Sequence, residues 1–170
     1  METNQQTPGK FSVNYGLILG IIMIVISVVM YATGMMLEGK QWPMFIYYII
    51  FPVFVIYTIN KYKKHNANTL KLGEALKVGV SVAVVSAVVY GLYNILFNYL
   101  IDPEFIDKMM DVTREKLYEN EKMTEEMIDK SMEMARKFSH PLIGSAMWIG
   151  LSALFGLIYS LIGGLVMKNE

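Results

Sequence analysis

The sequence predicts an all-α membrane protein: four transmembrane helices, with an amphipathic helical hairpin between the third and the fourth. Three observations predict it. Four stretches without a charged residue, 11–37, 41–60, 78–101 and 142–167, each reach 20 residues or more. About 20 apolar residues, rising 1.5 Å each, cross the roughly 30 Å of bilayer hydrocarbon. The charged residues, 18% of the 170, are swept into the connections, as a bilayer enforces by the cost of a charge at its centre. What lies outside the four runs is too short to bury them, so residues 1–170 read as one polytopic domain.

The first span follows a single Lys10 and is far longer than the apolar core of a secretory signal, so it is expected to be retained. In the second span Pro43 suits a first helical turn. Pro52 lies mid-span and is expected to kink the helix by freeing the carbonyl of Tyr48. Lys61, Lys63, Lys64, Lys71 and Lys77 crowd the next connection against a single Glu74, whereas the first connection holds only Glu38 and Lys40. Basic residues concentrate on the cytoplasmic side, which puts this cluster and both termini inside. The whole-chain count pulls the other way, seven basic residues inside against eight outside. The compact cluster, pressed against two membrane ends, carries the assignment. Trp42, Tyr62, Tyr99 and Trp148 fall near span ends, where amphipathic rings anchor in the headgroups.

Segment 102–137 has seven basic and eleven acidic residues, a net charge of −4. Asp102-Pro103-Glu104 reads as a helix start, with Asp102 as cap and Pro103 in the first turn. Ile106, Met109, Met110, Thr113 and Leu117 then recur at helical spacing until Asn120. Thr124-Glu125-Glu126 opens a second helix with Met127, Ile128, Met132, Ala135 and Phe138 along one side. Met109, Leu117, Met127 and Met132 are expected to face the bundle or a partner, because two such short helices are marginal alone in water.

Two sets of residues inside the spans carry the candidate sites. Gly79, Ala83, Ala87 and Gly91 form a row of small side chains on span three, and Ser152, Gly156, Ser160 and Gly164 form another on span four; Gly16 and Gly20 add a pair on span one. Such rows let helix backbones approach closely in lipid, where packing drives association. They serve either the packing of span three on span four or a homodimer. Tyr90, Asn94 and Asn98 share one face of span three, with Asn14 near the start of span one. These polar groups suit interhelical hydrogen bonds more than a solute path, since no uncharged run holds an ionisable Asp, Glu, Lys, Arg or His.

Several functions are disfavoured. A net charge of zero projects no field toward nucleic acid, and the absence of cysteine removes disulfides, thiolate metal sites and cysteine nucleophiles. Met109, Met110, Met123, Met127, Met132 and Met134, with His140 nearby, bear the soft donors that select Cu(I). Met equally suits an apolar helix face, so neither a metal nor another cofactor is expected. Glu125/Glu126 and Asp129/Glu133 lie on a solvated face with no nucleophile beside them, so no enzyme is expected.

Lys10-Phe11-Ser12-Val13-Asn14-Tyr15-Gly16 and Leu70-Lys71-Leu72-Gly73-Glu74-Ala75-Leu76-Lys77-Val78-Gly79 resemble segments of a known family, as do the starts Asp102-Pro103-Glu104-Phe105 and Met123-Thr124-Glu125-Glu126. In layout nearly the whole chain is similar to the small bacterial membrane proteins grouped as domain-of-unknown-function family 4199. The resemblance implies a four-span protein of the bacterial inner membrane and brings no catalytic residue or ligand. The expectation is a non-catalytic scaffold or interaction protein in the lipid bilayer, either a homo-oligomer or bound to a protein partner through 102–137. The alternative is a small oligomeric transporter or channel for a neutral or hydrophobic solute.

Overall fold

The computed structural model describes residues 7–40, 42–120 and 122–169, and among these it is all-helical, without a strand. Helix α1 spans Pro8–Ala32, α2 Trp42–His65, α3 Leu72–Leu96, α4 Phe105–Tyr118, α5 Glu125–Ser139 and α6 Pro141–Met167; a π-helical turn, Phe97–Ile101, prolongs α3. Four stretches, Pro8–Ala32, Trp42–His65, Leu72–Ile101 and Pro141–Met167, are long and apolar enough to cross a membrane.

The ends of these helices differ from the uncharged runs for identifiable reasons. The Thr7 hydroxyl accepts the Lys10 N–H at 3.4 Å, and Pro8 occupies the first turn, so α1 begins before residue 11. It stops at Ala32 rather than at 37, because Gly34 adopts the left-handed conformation, φ +73°, that terminates helices. A scan for charge passes over that stop signal. Conversely, α2 runs past residue 60 to His65, since Lys63, Lys64 and His65 sit favourably at the negative end of the helix dipole. It continues through Pro52 as one helix; Gln41 lies outside the described residues. Helix α3 starts at Leu72, ahead of residue 78, where the Glu74 carboxylate accepts the Lys71 backbone N–H at 3.0 Å.

Helix α3 is the centre of the bundle, with α6 on one face and α1 on a neighbouring one. A Cβ built on Gly79 would run into Ser160, and one on Gly156 would run into Ala83; Gly164 meets Ala75 at 2.8 Å, and Gly91 meets Ser145 at 3.3 Å. Ala87 and Ser152, the remaining members of the two rows, are buried. The rows therefore abut within one chain. On the other face a Cβ at Gly16 would lie 2.6 Å from Val85 Cβ and 3.0 Å from the Val82 carbonyl, and Gly20 is equally close to Val89. Helix α2 closes the assembly with Phe51, Val55 and Ile59, which join Leu19, Met23, Val78 and Val82 in a dry core. Side chains such as Val25, Ile49, Leu92 and Leu154 cover the outside, the surface a helix presents to lipid rather than to water.

Four buried hydroxyls are satisfied locally. Ser12 donates to the Pro8 carbonyl at 2.7 Å, Thr58 to Phe54 at 2.8 Å, Ser86 to Ala83 at 2.9 Å and Ser160 to Leu157 at 3.1 Å. These bond within their own helices, whereas Ser145 of α6 donates across to the Gly91 carbonyl of α3 at 3.4 Å. At the Lys-rich end Asn169 ties the chain shut: its amide donates to the Asn68 carbonyl at 2.6 Å and its Oδ1 accepts the Leu70 N–H at 2.8 Å.

Helices α4 and α5 form the hairpin. The Thr124 hydroxyl accepts the Met127 N–H at 3.3 Å to open α5, and Arg114–Asp129 and Arg136–Asp107 bridge the two helices at 2.6 and 2.7 Å. Two expectations need correction. Asp102 is not the cap of α4; Glu104 holds that position. The Asp102 carboxylate instead accepts the Tyr31 hydroxyl at 3.0 Å and pairs with Lys108 at 3.1 Å. The tertiary bond to Tyr31 is thus added to local ones from Lys108 and the Glu104 backbone N–H. Met127 is half exposed, and Ile128, at 2% exposure, takes the inward position. Ile128, Met132 and Ala135 keep the expected inward side, and Met127 falls at its exposed edge, a choice that adjacent apolar residues leave open. Met109, Leu117 and Met132 are partly buried.

Candidate functional site

Where the hairpin meets the bundle, the helices do not close. A cavity of about 310 Å³ lies there, walled by α3 and its π turn, by α6, and by the apolar sides of α4 and α5. Among the described residues no Asp, Glu, Lys, Arg or His lines it; the walls are aromatic and apolar side chains with a few hydroxyls and amides. Two of its wall residues, Tyr90 and Trp148, pack against the buried core cluster.

The cavity gathers three of the polar residues singled out in the spans. Tyr90, Asn94 and Asn98 all line it. Asn98 sits in the π turn and donates from Nδ2 to the Asn94 carbonyl at 2.8 Å. A π turn holds one more residue per hydrogen-bonded ring than an α turn, and such turns recur at functional sites. Asn14, by contrast, is exposed on α1 and belongs to the outer surface of the bundle. The correction follows from helix phase: Ser12, Gly16 and Leu19 mark the buried side of α1, and Asn14 points away from it.

Two polar atoms in this region are left over. Asn98 Oδ1 and Trp148 Nε1 are buried without a hydrogen-bond partner among the described residues, and both side chains line the cavity. An unmatched buried donor or acceptor costs about 1–3 kcal/mol, so nearly all such groups in folded proteins find partners. Trp148, expected near a span end, is half-buried, with ring centroids 6.1 Å from Tyr47 and 6.0 Å from Tyr90. Tyr62, another expected anchor, is 4% exposed and packs edge-on against Phe11 at 5.4 Å. Trp42 and Tyr99 are exposed. Ser27, Phe105 and Met36 also reach the cavity wall; nothing in their sequence positions distinguishes them from ordinary packing residues.

The hairpin is held over the cavity by contacts on both sides. Phe105 packs edge-on against Phe97 at 5.3 Å and Tyr31 at 5.8 Å. Farther along α4, Lys116 Nζ donates to the Glu38 carbonyl at 2.9 Å. The ammonium of Lys108 beside Asp102 holds that carboxyl below the usual aspartate range, and the Tyr31 hydroxyl adds to the shift; the same ion pair pushes Lys108 up. Among the described residues no group of three or more His, Asp or Glu side chains comes together as a metal site would need.

Together these features define a class: a multi-pass helical membrane protein with four spans and a charged helical hairpin closing a neutral pocket. The chain belongs to the family described as Protein of unknown function (DUF4199), which it matches over residues 14–169. No curated protein and no solved structure matches it.

Proposed function

We propose that this chain is a non-catalytic scaffold or interaction protein of the bacterial inner membrane, with both termini cytoplasmic and the hairpin reaching a partner on the opposite side. The carrying observation is the hairpin itself. It is an ordered unit clamped to the bundle through Asp102 and Lys116, while Met127, Met134 and Tyr118 remain exposed among its charges. The closely packed apolar core at the Lys-rich half, where Leu19, Val55, Ile59 and Val78 are fully buried, supports an anchor rather than a conduit. Purification of the tagged full chain in mild detergent tests this reading. A defined partner lost on charge reversal at the exposed hairpin face supports it, and a lone monomer under all conditions counts against it.

A second reading has its own support. The lining of Tyr90, Asn94 and Asn98 faces a cavity, as a small oligomeric transporter for a neutral or hydrophobic solute would require. Solute flux in liposomes bearing the purified protein separates the two.

A further inference from the structure

We propose that the cavity beneath the hairpin is a binding site for a neutral, membrane-soluble ring compound carrying a hydroxyl group. The proposal holds whether or not the hairpin engages a protein partner.

The wall chemistry sets the body of the ligand. No ionisable Asp, Glu, Lys, Arg or His lines the space, and a charge placed there would lose its hydration without a counter-ion. Tyr90, Tyr93, Phe97, Phe105 and Trp148 supply ring faces and edges, which suit a flat apolar body.

The two leftover atoms set the polar group. Asn98 Oδ1 can only accept and Trp148 Nε1 can only donate. A ketone or ether would leave the amide oxygen unmatched, and an alkylamine would arrive charged. A hydroxyl donates and accepts, so it can serve either atom once that side chain turns its polar atom from behind the wall into the cavity. The site is also built rather than incidental. The π turn carries Asn98 to the wall, where it is 9% exposed, and its Nδ2 bond to the Asn94 carbonyl holds the amide in place.

Size follows from comparison. A cavity of about 150 Å³ accepts benzene, so 310 Å³ has room for a body of about twelve heavy atoms by the same proportion. The probe 2-naphthol meets this description, and naphthalene is the same body without the hydroxyl.

The test titrates each probe, by its own fluorescence, into the purified full-length protein in detergent. Empty micelles and a filled-cavity variant, Ile106→Trp with Met109→Trp, give the background. Saturable binding is expected for the native protein, with 2-naphthol about tenfold tighter than naphthalene, the worth of one or two hydrogen bonds. Asn98→Leu and Trp148→Phe should each reduce that ratio to about threefold or less, and the filled variant should lose the saturable phase. Should Asn98→Leu fail to fold by its melting profile, Trp148→Phe carries the comparison. Three results would overturn the proposal: no binding above micelle partition, equal affinity for the two probes in the native protein, or undiminished binding in the filled variant.

Discussion

Gly156 shows how much one missing methyl group decides. Its α carbon faces Ala83, and a Cβ there would also lie 3.3 Å from the Gly79 carbonyl, so neither side chain nor backbone can give way cheaply. Gly156→Leu is expected to separate α3 from α6 and destabilise the bundle by about 1–3 kcal/mol, the usual cost of overpacking. Leu157→Ile, on the exposed side of α6, should be nearly silent. Thermal melting in detergent reads both, and equal melting of the two variants and the parent would rule out this contact as a determinant. Ala67 offers the opposite case. It holds a left-handed conformation, φ 50°, which disfavours any residue with a Cβ. Ala67→Gly should raise the melting temperature, with a gain of up to about 1 kcal/mol. The small-residue rows were legible as rows because spacing by four is a property of the chain. Trp148 was not legible as a cavity residue, because an interfacial tryptophan and a cavity-lining one differ only in helix rotation.

At the scale of elements, the hairpin is the part whose stability depends most on its surroundings. Ile128 is its one residue in the fully buried class among those described, and its ion pairs are exposed ones that contribute little. Helices of this length barely nucleate alone. A peptide of residues 102–137 should therefore be mostly unfolded by circular dichroism, while the same residues resist hydrogen exchange in the intact protein. A stably helical peptide, or rapid exchange across both helices in the full chain, would contradict this. The Asp102–Lys108 pair makes the docking depend on pH. Native Asp102 is held below its unfolded value, so its contribution is complete above about pH 4 and is lost as pH falls through the lowered native value. Lys108 is displaced upward, so its contribution is complete below about pH 10 and is lost as pH rises through the raised native value. Protection in Phe105–Tyr118, the exchange rate taken relative to that of an unstructured chain at the same pH, should fall on acidification within that lower window, and Asp102→Asn should reduce this acid dependence. The starts and stops of α1 and α2 show why element boundaries were only partly readable. Absence of charge located the spans, whereas Gly34 and the lysines after residue 60 decided where helix ended.

For the whole molecule, α3 is gripped on two faces by α1 and α6 while α2 seals the core, and the Lys-rich connection is clasped by Asn169. That clasp puts the residue at 169 beside the connection at 68–70, so both lie at one end of the bundle. Reporter fusions at Asn120 and at the C-terminus should report opposite sides of the membrane, with the C-terminus cytoplasmic. A cytoplasmic signal at Asn120 would reverse the assigned orientation.

The sequence by itself determined the helical class, the number of spans, the hairpin between the last two, and the small-residue and polar rows on α3. These are properties of composition and period, and a bilayer reads them directly as length and hydrophobicity. Only the tertiary structure decided which faces meet. It set Ile128 of α5 inward with Met127 at the exposed edge, turned Asn14 outward, tied Asp102 to Tyr31 and Lys108, and left a neutral cavity over Asn98 and Trp148. The physical reason is that nearly every side of the four spans is apolar. Hydrophobicity then places each helix in the membrane without fixing its rotation, and close packing against its neighbours must supply the rest.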